Sequence, residues 1–393
     1  MEVKAVVNVD YDDNDEYLSA DESGIETEDL SAGDLSGGLY FSLPDINFDL
    51  DFGYQLTEPL FPTMSNQDFL RYYSLDPPSV SGLVLIPKQA SENPPIEYVS
   101  LNNSQTSDFP DFSFLQELKL TILQSCNELL LCYSHASQSY YISNLATHQI
   151  DQLPSFPVMG NISTATVNLG FDPKISPNYK VISVQKLDPK LHQISMYSDQ
   201  TRTWTISGKP FDAPGDMDFN EGVFCNGAIH WMRRTPKGLY FDVNTEILKE
   251  MPKPPVNKEH SLVSCEYFGG SYGRLYYGSS SPDLPYFELF EMKEDYSGWF
   301  LKTWIDLQVL AMDFPLIARR SKNPHPLFGR YEADIISVVQ DQYYEDFEVI
   351  LAIPGEVIAY NPVRKFATNL CDLRLSGDDR AVWYRIYSCY QVL

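Results

Sequence analysis

Basic residues are scarce in this sequence. Its 393 residues contain 28 Lys and Arg against 54 Asp and Glu, which gives a formal net charge of −26. Because like charges repel, a surface this acidic disfavours the phosphate backbone, and no nucleic-acid partner is expected. The one basic cluster, ARRSK at residues 318–322, is too short to change that expectation.

Cysteine and long apolar runs are also scarce. None of the six cysteines forms a CxxC motif, and no Cys–His pair has the spacing of a zinc site. Most lie in strand-like apolar runs, where a free thiol behaves as a small buried hydrophobe, so a reducing compartment, cytoplasm or nucleus, is favoured. With no run of 18 apolar residues and no secretory signal pattern, no membrane span is expected.

Known catalytic signatures are absent as well. The sequence contains neither HExxH nor GxSxG. Four carboxylates within residues 341–348 could supply the pair that a glycosidase uses, but the apolar runs on both sides favour a hairpin tip. His230 and Trp231 follow an Asn-Gly turn, and we interpret them as packed strand residues. No catalytic, metal-binding or cofactor-binding residue is predicted; we expect no enzyme, and a glycosidase remains an alternative.

One short pattern is repeated five times: an apolar run, a polar turn and a second run that ends on an aromatic residue or a hydrophobic–proline pair. Asn, Asp and Ser open such turns because their side chains bond the backbone two residues on. The predicted turn-opening residues follow one another in steps of 54, 44, 49 and 70 residues; they are Asn144, Ser198, Asp242, Glu291 and Asn361.

Strand-rich repeats of about 40 to 50 residues are typical of β-propeller blades. The sequence therefore predicts an all-β propeller with six blades, although five unrelated hairpins in another β fold would be an alternative. A sixth blade would close the ring by pairing residues 81–101 with residues 382–393. The five blades seen directly in the repeat are 118–157, 165–211, 216–257, 260–308 and 325–374.

The N-terminal residues 1–63 differ from the rest. Residues 1–70 hold 17 acidic residues and one basic residue. A segment of this composition cannot bury enough apolar surface to offset its ordering entropy, so it is expected to be largely disordered. Ser19, Ser23 and Thr27 precede carboxylates, and this arrangement makes them candidate phosphorylation sites.

Several phrases resemble one plant family when read in order. Residues 64–393 are similar to the F-box-associated, kelch-like region of plant F-box proteins. The sequence departs from that family at Glu128, where Gly is usual, and at Leu145, where Pro is usual. The resemblance is carried by SCNELLLC (125–132), YYISNLATHQ (140–149), EGVFCNGAIHWM (221–232), YFDVNTEILKEMPKPP (240–255) and IPGEVIAYNPV (353–363).

The resemblance implies substrate recognition for ubiquitin ligation, by binding protein clients. Family members carry an upstream F-box that binds the Skp adaptor of a cullin ligase. Here Leu43 and Pro44 are present, but the leucine-rich helical periodicity and the closing Trp are not. Skp and cullin are therefore expected partners only if residues 1–63 hold a cryptic F-box. The alternative is a stand-alone adaptor that binds clients without delivering them.

A long connection explains the 70-residue step in the repeat. Residues 309–327 are expected to be an unstructured loop, and long loops in compact folds are often functional. The loop carries residue types that are enriched at interfaces. We predict that the partner-binding residues are Met312, Phe314, Arg319 and Arg320.

Overall fold

The computed structural model describes the propeller region of the chain. All residues described lie in one compact unit. The predicted acidic segment 1–63 and its candidate phosphorylation sites lie outside them. The described residues are 79–87, 96–101, 112–145, 147, 149–157, 165–214, 217–232, 238–255, 264–281, 284–318, 331–340, 346–373 and 384–391.

Five antiparallel four-stranded sheets follow one another along the chain, each with its strands in sequence order. Blade 1 contains β3 (Leu120–Cys126), β4 (Leu129–Ser134), β5 (Ser139–Asn144) and β6 (Gln149–Gln152). Blade 2 contains β7 (Ala165–Gly170), β8 (Lys180–Lys186), β9 (Leu191–Ser198) and β10 (Thr203–Asp212). Blade 3 contains β11 (Val223–Cys225), β12 (Ala228–Trp231), β13 (Gly238–Asp242) and β14 (Ile247–Met251).

The fourth and fifth blades are built in the same way. Blade 4 contains β15 (Ser264–Ser271), β16 (Arg274–Ser280), β17 (Tyr286–Met292) and β18 (Trp299–Asp306). Blade 5 contains β19 (Asp334–Gln340), β20 (Phe347–Ile353), β21 (Glu356–Asn361) and β22 (Phe366–Asp372). The helical elements of the described residues are α1 (Ser113–Glu117), α2 (Leu307–Asp313) and a 3₁₀ turn (Pro315–Ile317).

The sixth blade joins the two ends of the propeller region. Within the described residues it has three strands, in the order β2 (Glu97–Ser100), β1 (Ser79–Pro87) and β23 (Tyr384–Gln391). The Tyr387 hydroxyl donates to the Ile122 carbonyl in β3 at 2.6 Å, and the Ser388 hydroxyl lies 3.4 Å from that of Ser337 in β19. Strand β23 therefore lies between blades 5 and 1 and closes the ring. The predicted six-bladed propeller is confirmed, whereas its kelch-like type stays a prediction.

Apolar clusters lie between neighbouring blades. Leu129 and Leu131 of blade 1 pack with Leu169 and Val181 of blade 2. A blade in the ring has a neighbour on each face, so its inner strands are buried on both sides. In β4, four consecutive residues are buried. This two-sided burial explains why such strands appear in the sequence as continuous apolar runs rather than as alternating patterns.

Turn chemistry fixes the ends of the strands. The Asn144 side chain accepts from the Thr147 amide at 3.2 Å, and the Asp242 side chain accepts from the Thr245 amide at 3.0 Å. The Asn226-Gly227 turn has positive φ at both residues, 49° and 70°, as a type I′ hairpin turn requires.

The prediction that Glu291 opens a turn is wrong. Glu291 lies inside β17, where its side chain is fully buried. The turn of blade 4 spans residues 293–298 and is two residues longer than that of blade 5, and Asp295 accepts from the Ser297 amide there. Glu291 is instead ion-paired with Arg274 and Lys302, each at 2.9 Å, on the strands that flank β17.

Candidate protein-interaction surface

Helix α2 begins directly after the outermost strand of blade 4. Asp306 caps it, because its Oδ1 accepts from the amides of Gln308 at 2.8 Å and Val309 at 3.3 Å. The Leu307 amide donates to the Pro285 carbonyl at 2.8 Å. The helix therefore starts at a fixed place, beside the connection between β16 and β17.

One side of this helical segment is buried. Leu307 and Leu310 of α2 and Ile317 of the 3₁₀ turn belong to the apolar cluster between blades 4 and 5, and Phe314 packs partly against it. The prediction that residues 309–327 form an unstructured loop is therefore wrong for its first part, because residues 307–317 are mostly helical. Apolar residues at positions 307, 310, 314 and 317 have helical spacing, and this periodicity could have revealed the helix.

The other side of α2 exposes apolar side chains to solvent. Met312 is 74% exposed, and Val309 and Leu316 are also exposed. Val309 and Met312 lie one turn apart on α2, and Leu316 lies in the 3₁₀ turn that follows the helix. We call Val309, Met312 and Leu316 the α2 surface. Of the predicted partner-binding residues, Met312 lies on this surface and Phe314 is partly buried beneath it, whereas Arg319 and Arg320 lie outside the described residues.

The side chains of the α2 surface carry no charge. Residues 303–318 contain Asp306 and Asp313 and no Lys or Arg. An exposed methionine is flexible and polarisable, and it adapts well to a partner surface. Apolar side chains carried by a helix that is packed from below are already positioned before a partner binds.

Of the cysteines that the structure describes, Cys126, Cys132 and Cys225 are buried, and Cys265 and Cys371 are partly exposed. Burial raises the pKa of the Cys126, Cys225 and Cys265 thiols to about 12 each, so they stay protonated at neutral pH. Five cysteines in the described part of the chain are free. Across the described ranges, no three His, Cys, Asp or Glu side chains come together in a way that could hold a metal ion.

His230 confirms its interpretation as a packed strand residue. It is fully buried, and its ring is stacked against Tyr240 and Tyr296, with centroids 5.4 and 5.6 Å away. Its Nε2 lies 2.7 Å from the Tyr296 hydroxyl, and its Nδ1 lies 3.2 Å from the Val223 carbonyl. Burial lowers the pKa of His230 to about 4, so this imidazole is neutral at physiological pH.

The acidic group at residues 341–348 lies where a hairpin tip was predicted. Strands β19 and β20, on either side of it, pair antiparallel, which confirms the hairpin. Residues 341–345 lie outside the described part of the chain, and the Asp346 carboxylate is paired with Arg364. Among the helices that the structure describes, none has the length and apolar character needed to cross a bilayer.

The sequence of the propeller region matches a protein family. Residues 83–270, which run from β1 to β15, match the model of the F-box associated beta propeller domain. Over these residues the chain is similar to that family. The family resemblance inferred from the sequence is therefore confirmed. The matched residues belong to the propeller, and the match does not include an F-box, the module that binds the adaptor.

One curated relative extends the match. The F-box protein At5g07610 of Arabidopsis thaliana is 28% identical to this chain over 328 residues, which cover 75% of this chain and 76% of the relative. The relative's name is that of an F-box protein, which agrees with the domain match. Protein partners are thus the general expectation for this propeller region.

Solved structures give weaker similarities. An oligogalacturonate lyase in complex with manganese has a TM-score of 0.40 at 7% identity, covering 63% of each chain. The WD40 domain of SCAP from fission yeast has a TM-score of 0.35 at 9% identity, covering 66% of this chain and 61% of that one. Similarity at this level does not identify a function.

Proposed function

We propose that this chain is the client-recognition subunit of a ubiquitin ligase, and that it acts by binding protein clients rather than by catalysis. The family match and the name of the Arabidopsis relative support this role. The α2 surface is the observation that carries it. The cytoplasm or the nucleus is the proposed place of action, in keeping with the five free cysteines of the described residues.

The α2 surface has the properties of a binding site. Met312 is 74% exposed, and the helix that carries it is held by burial of Leu307, Leu310 and Ile317. Methionine is enriched at the centres of protein interfaces, so the surface favours clients with an apolar contact patch. A client that covers this surface would remove apolar area from water without reordering the blade.

A stand-alone adaptor is the second candidate function. It is favoured by the composition of residues 1–63, which lack the leucine-rich pattern of an F-box. Under this alternative the propeller binds the same clients and shields them from degradation. The two functions share the α2 surface and differ only in whether a Skp adaptor is recruited, so adaptor binding separates them.

Recruitment of the adaptor is the first test. The tagged full-length chain, purified from plant extract, should retain the Skp adaptor if residues 1–63 hold a cryptic F-box, and removal of those residues should abolish retention. An intact F-box protein purified in parallel is the positive control. If that control retains Skp and the full-length chain does not, the ligase role is refuted and the stand-alone adaptor is supported.

Client binding through the α2 surface is the second test. The triple substitution Val309→Gln, Met312→Gln and Leu316→Gln should remove most client proteins from a quantitative pull-down, because the apolar centre of the surface is lost. Ile206→Gln, at an exposed apolar position on β10 of blade 2, is the matched control and should change nothing. Equal recovery of clients by the triple variant would contradict the assignment of this surface, provided that both variants melt like the unchanged protein.

A further inference from the structure

A second exposed apolar site lies on the last turn of blade 5. Val363 in the turn and Phe366 at the start of β22 are each 64% exposed. In an antiparallel blade, the turn between the third and fourth strands lies at the opposite end from the connection that leaves the fourth strand. This turn and α2 therefore lie at opposite ends of the propeller.

The other blades show that the fold does not require these side chains. The same four-residue turn in blade 2 carries Gln200 and Thr203 at the corresponding positions, since Ser198 pairs with Thr203 as Asn361 pairs with Phe366. The last turn residues, Arg202 and Lys365, have nearly equal positive φ angles of 55° and 53°. The same turn length and the same left-handed last residue thus occur with polar side chains, so this turn conformation does not require Val363 and Phe366.

Hydrogen bonds hold the blade 5 turn in place. The Asn361 Oδ1 accepts from the Val363 amide at 3.1 Å and from the Arg364 amide at 2.8 Å. The Asn361 amide group and the Arg364 guanidinium both donate to the Asp346 carboxylate. A partner would therefore meet side chains whose backbone is already ordered, which lowers the entropy cost of binding.

The charged residues of the turn itself are both positive. Arg364 and Lys365 are exposed between the two apolar residues. Asp346 neutralises Arg364, whereas Lys365 makes no ion pair with any residue that the structure describes. Blade 3 gives the contrast, because Glu246 replaces Lys365 there and is followed by the half-exposed Ile247. Among the turns of blades 2, 3 and 5, only that of blade 5 thus combines exposed apolar residues with a lysine that has no ion-pair partner.

We propose that Val363, Lys365 and Phe366 form a docking site for an acidic protein segment with aromatic or aliphatic side chains beside its carboxylates. The apolar side chains would pack on Val363 and Phe366, and a carboxylate would pair with Lys365. This site goes beyond the proposed function, because it does not depend on the α2 surface or on a ligase.

The size of the partner follows from electrostatic screening. At physiological salt, exposed charges act over about 8 Å, so Lys365 attracts a short acidic segment despite the chain's overall net charge. A nucleic acid or an anionic membrane extends far beyond that distance and meets the acidic remainder of the surface. The site therefore fits a short peptide segment and not an extended polyanion.

Peptide display with the full-length chain tests the site. A phage-displayed library of random peptides of about twelve residues is expected to yield sequences rich in Asp and Glu beside Phe, Leu or Ile. The best peptide, labelled with fluorescein, should lose affinity as NaCl is raised. The double variant Val363→Gln, Phe366→Thr copies blade 2 and should bind it at least about tenfold more weakly. Lys365→Glu copies blade 3 and should weaken binding as strongly.

Ile247→Thr is the matched control, because Ile247 occupies the position of Phe366 without an adjacent cation. It should leave the affinity unchanged, and all variants should melt like the unchanged protein. Failure to enrich acidic peptides, or equal affinity of the double variant, would refute the site. A concentration-dependent dimer in sedimentation that the double variant loses would identify a second copy of the chain as the occupant and would also overturn the proposal.

Discussion

Deletion of residues 382–393 is expected to lower the melting temperature by roughly 10 °C or more, and to broaden the transition. Strand β23 pairs with β1 from Ser79 to Pro87. Without it, β1 loses its inner partner, and the buried Leu83 and Leu85 face an opened cluster that also contains Ile336 of blade 5. Several kcal/mol of strand pairing and apolar burial are lost together, because ring closure depends on this one strand.

The position of β23 makes the effect larger than that of an ordinary terminal strand. A terminal strand at the edge of a sheet can often be lost with local fraying, whereas β23 contacts blade 1 through Tyr387 and blade 5 through Ser388. Removing it opens the ring between these two blades and exposes the surface of each that β23 contacts. Unfolding should then start from the gap instead of occurring in one cooperative step.

The control for this deletion is removal of residues 392 and 393 alone, which follow the last described strand. Differential scanning calorimetry should show the melting temperature of this shorter deletion unchanged. Circular dichroism at 20 °C distinguishes a destabilised propeller from a chain that never folds. A melting temperature equal to that of the full chain after removal of 382–393 would contradict the role of β23 in closure.

The substitution Glu291→Gln is expected to destabilise the propeller by about 3 kcal/mol. Glu291 is 0% exposed, and Arg274 and Lys302 each pair with one of its carboxylate oxygens. Lys302 also lies over the Phe347 ring, 5.3 Å from its centroid, so it contacts blade 5. A neutral amide would leave two cations close together with their shared counterion removed, inside a protein region that excludes most water.

Glu294→Gln is the matched control for this substitution. Glu294 pairs with the same Arg274 at 2.9 Å but is 79% exposed, so its ion pair is screened by water. Both variants change the net charge by the same amount. The difference between their urea midpoints therefore measures the effect of burying the Glu291 carboxylate. Equal midpoints would contradict the structural role of the Glu291 pairs. A rise in stability for both would instead indicate that relief of overall negative charge dominates.

The repeat predicted the architecture well because it is a local signal. Asn144, Asp242 and Asn361 bond the amides of their own turns, so their roles follow from residues nearby in the sequence. The blade boundaries could be placed because each turn lies between two apolar runs. The ring closure joins strands far apart in the sequence, and it was inferred from the number of blades rather than from any local pattern.

The errors have non-local causes. Glu291 was taken for a turn residue because an acidic residue occurs near the expected place, whereas its role depends on cations at positions 274 and 302. Helix α2 was not predicted, because the 70-residue step of the repeat indicated a long connection at residues 309–327. The helix is stabilised by burial of Leu307, Leu310 and Ile317 between two blades, which only the assembled ring provides.

The order in which the ring is assembled has a consequence for biosynthesis. The innermost strand of the closing blade is the last described strand to leave the ribosome, after five complete blades have already emerged. Those blades can pair internally while translation proceeds, but the edge of β1 that pairs with β23 stays unpaired until β23 has been synthesised. The nascent chain thus exposes one unpaired strand edge for most of its synthesis, and such an edge can pair with other chains unless a chaperone covers it.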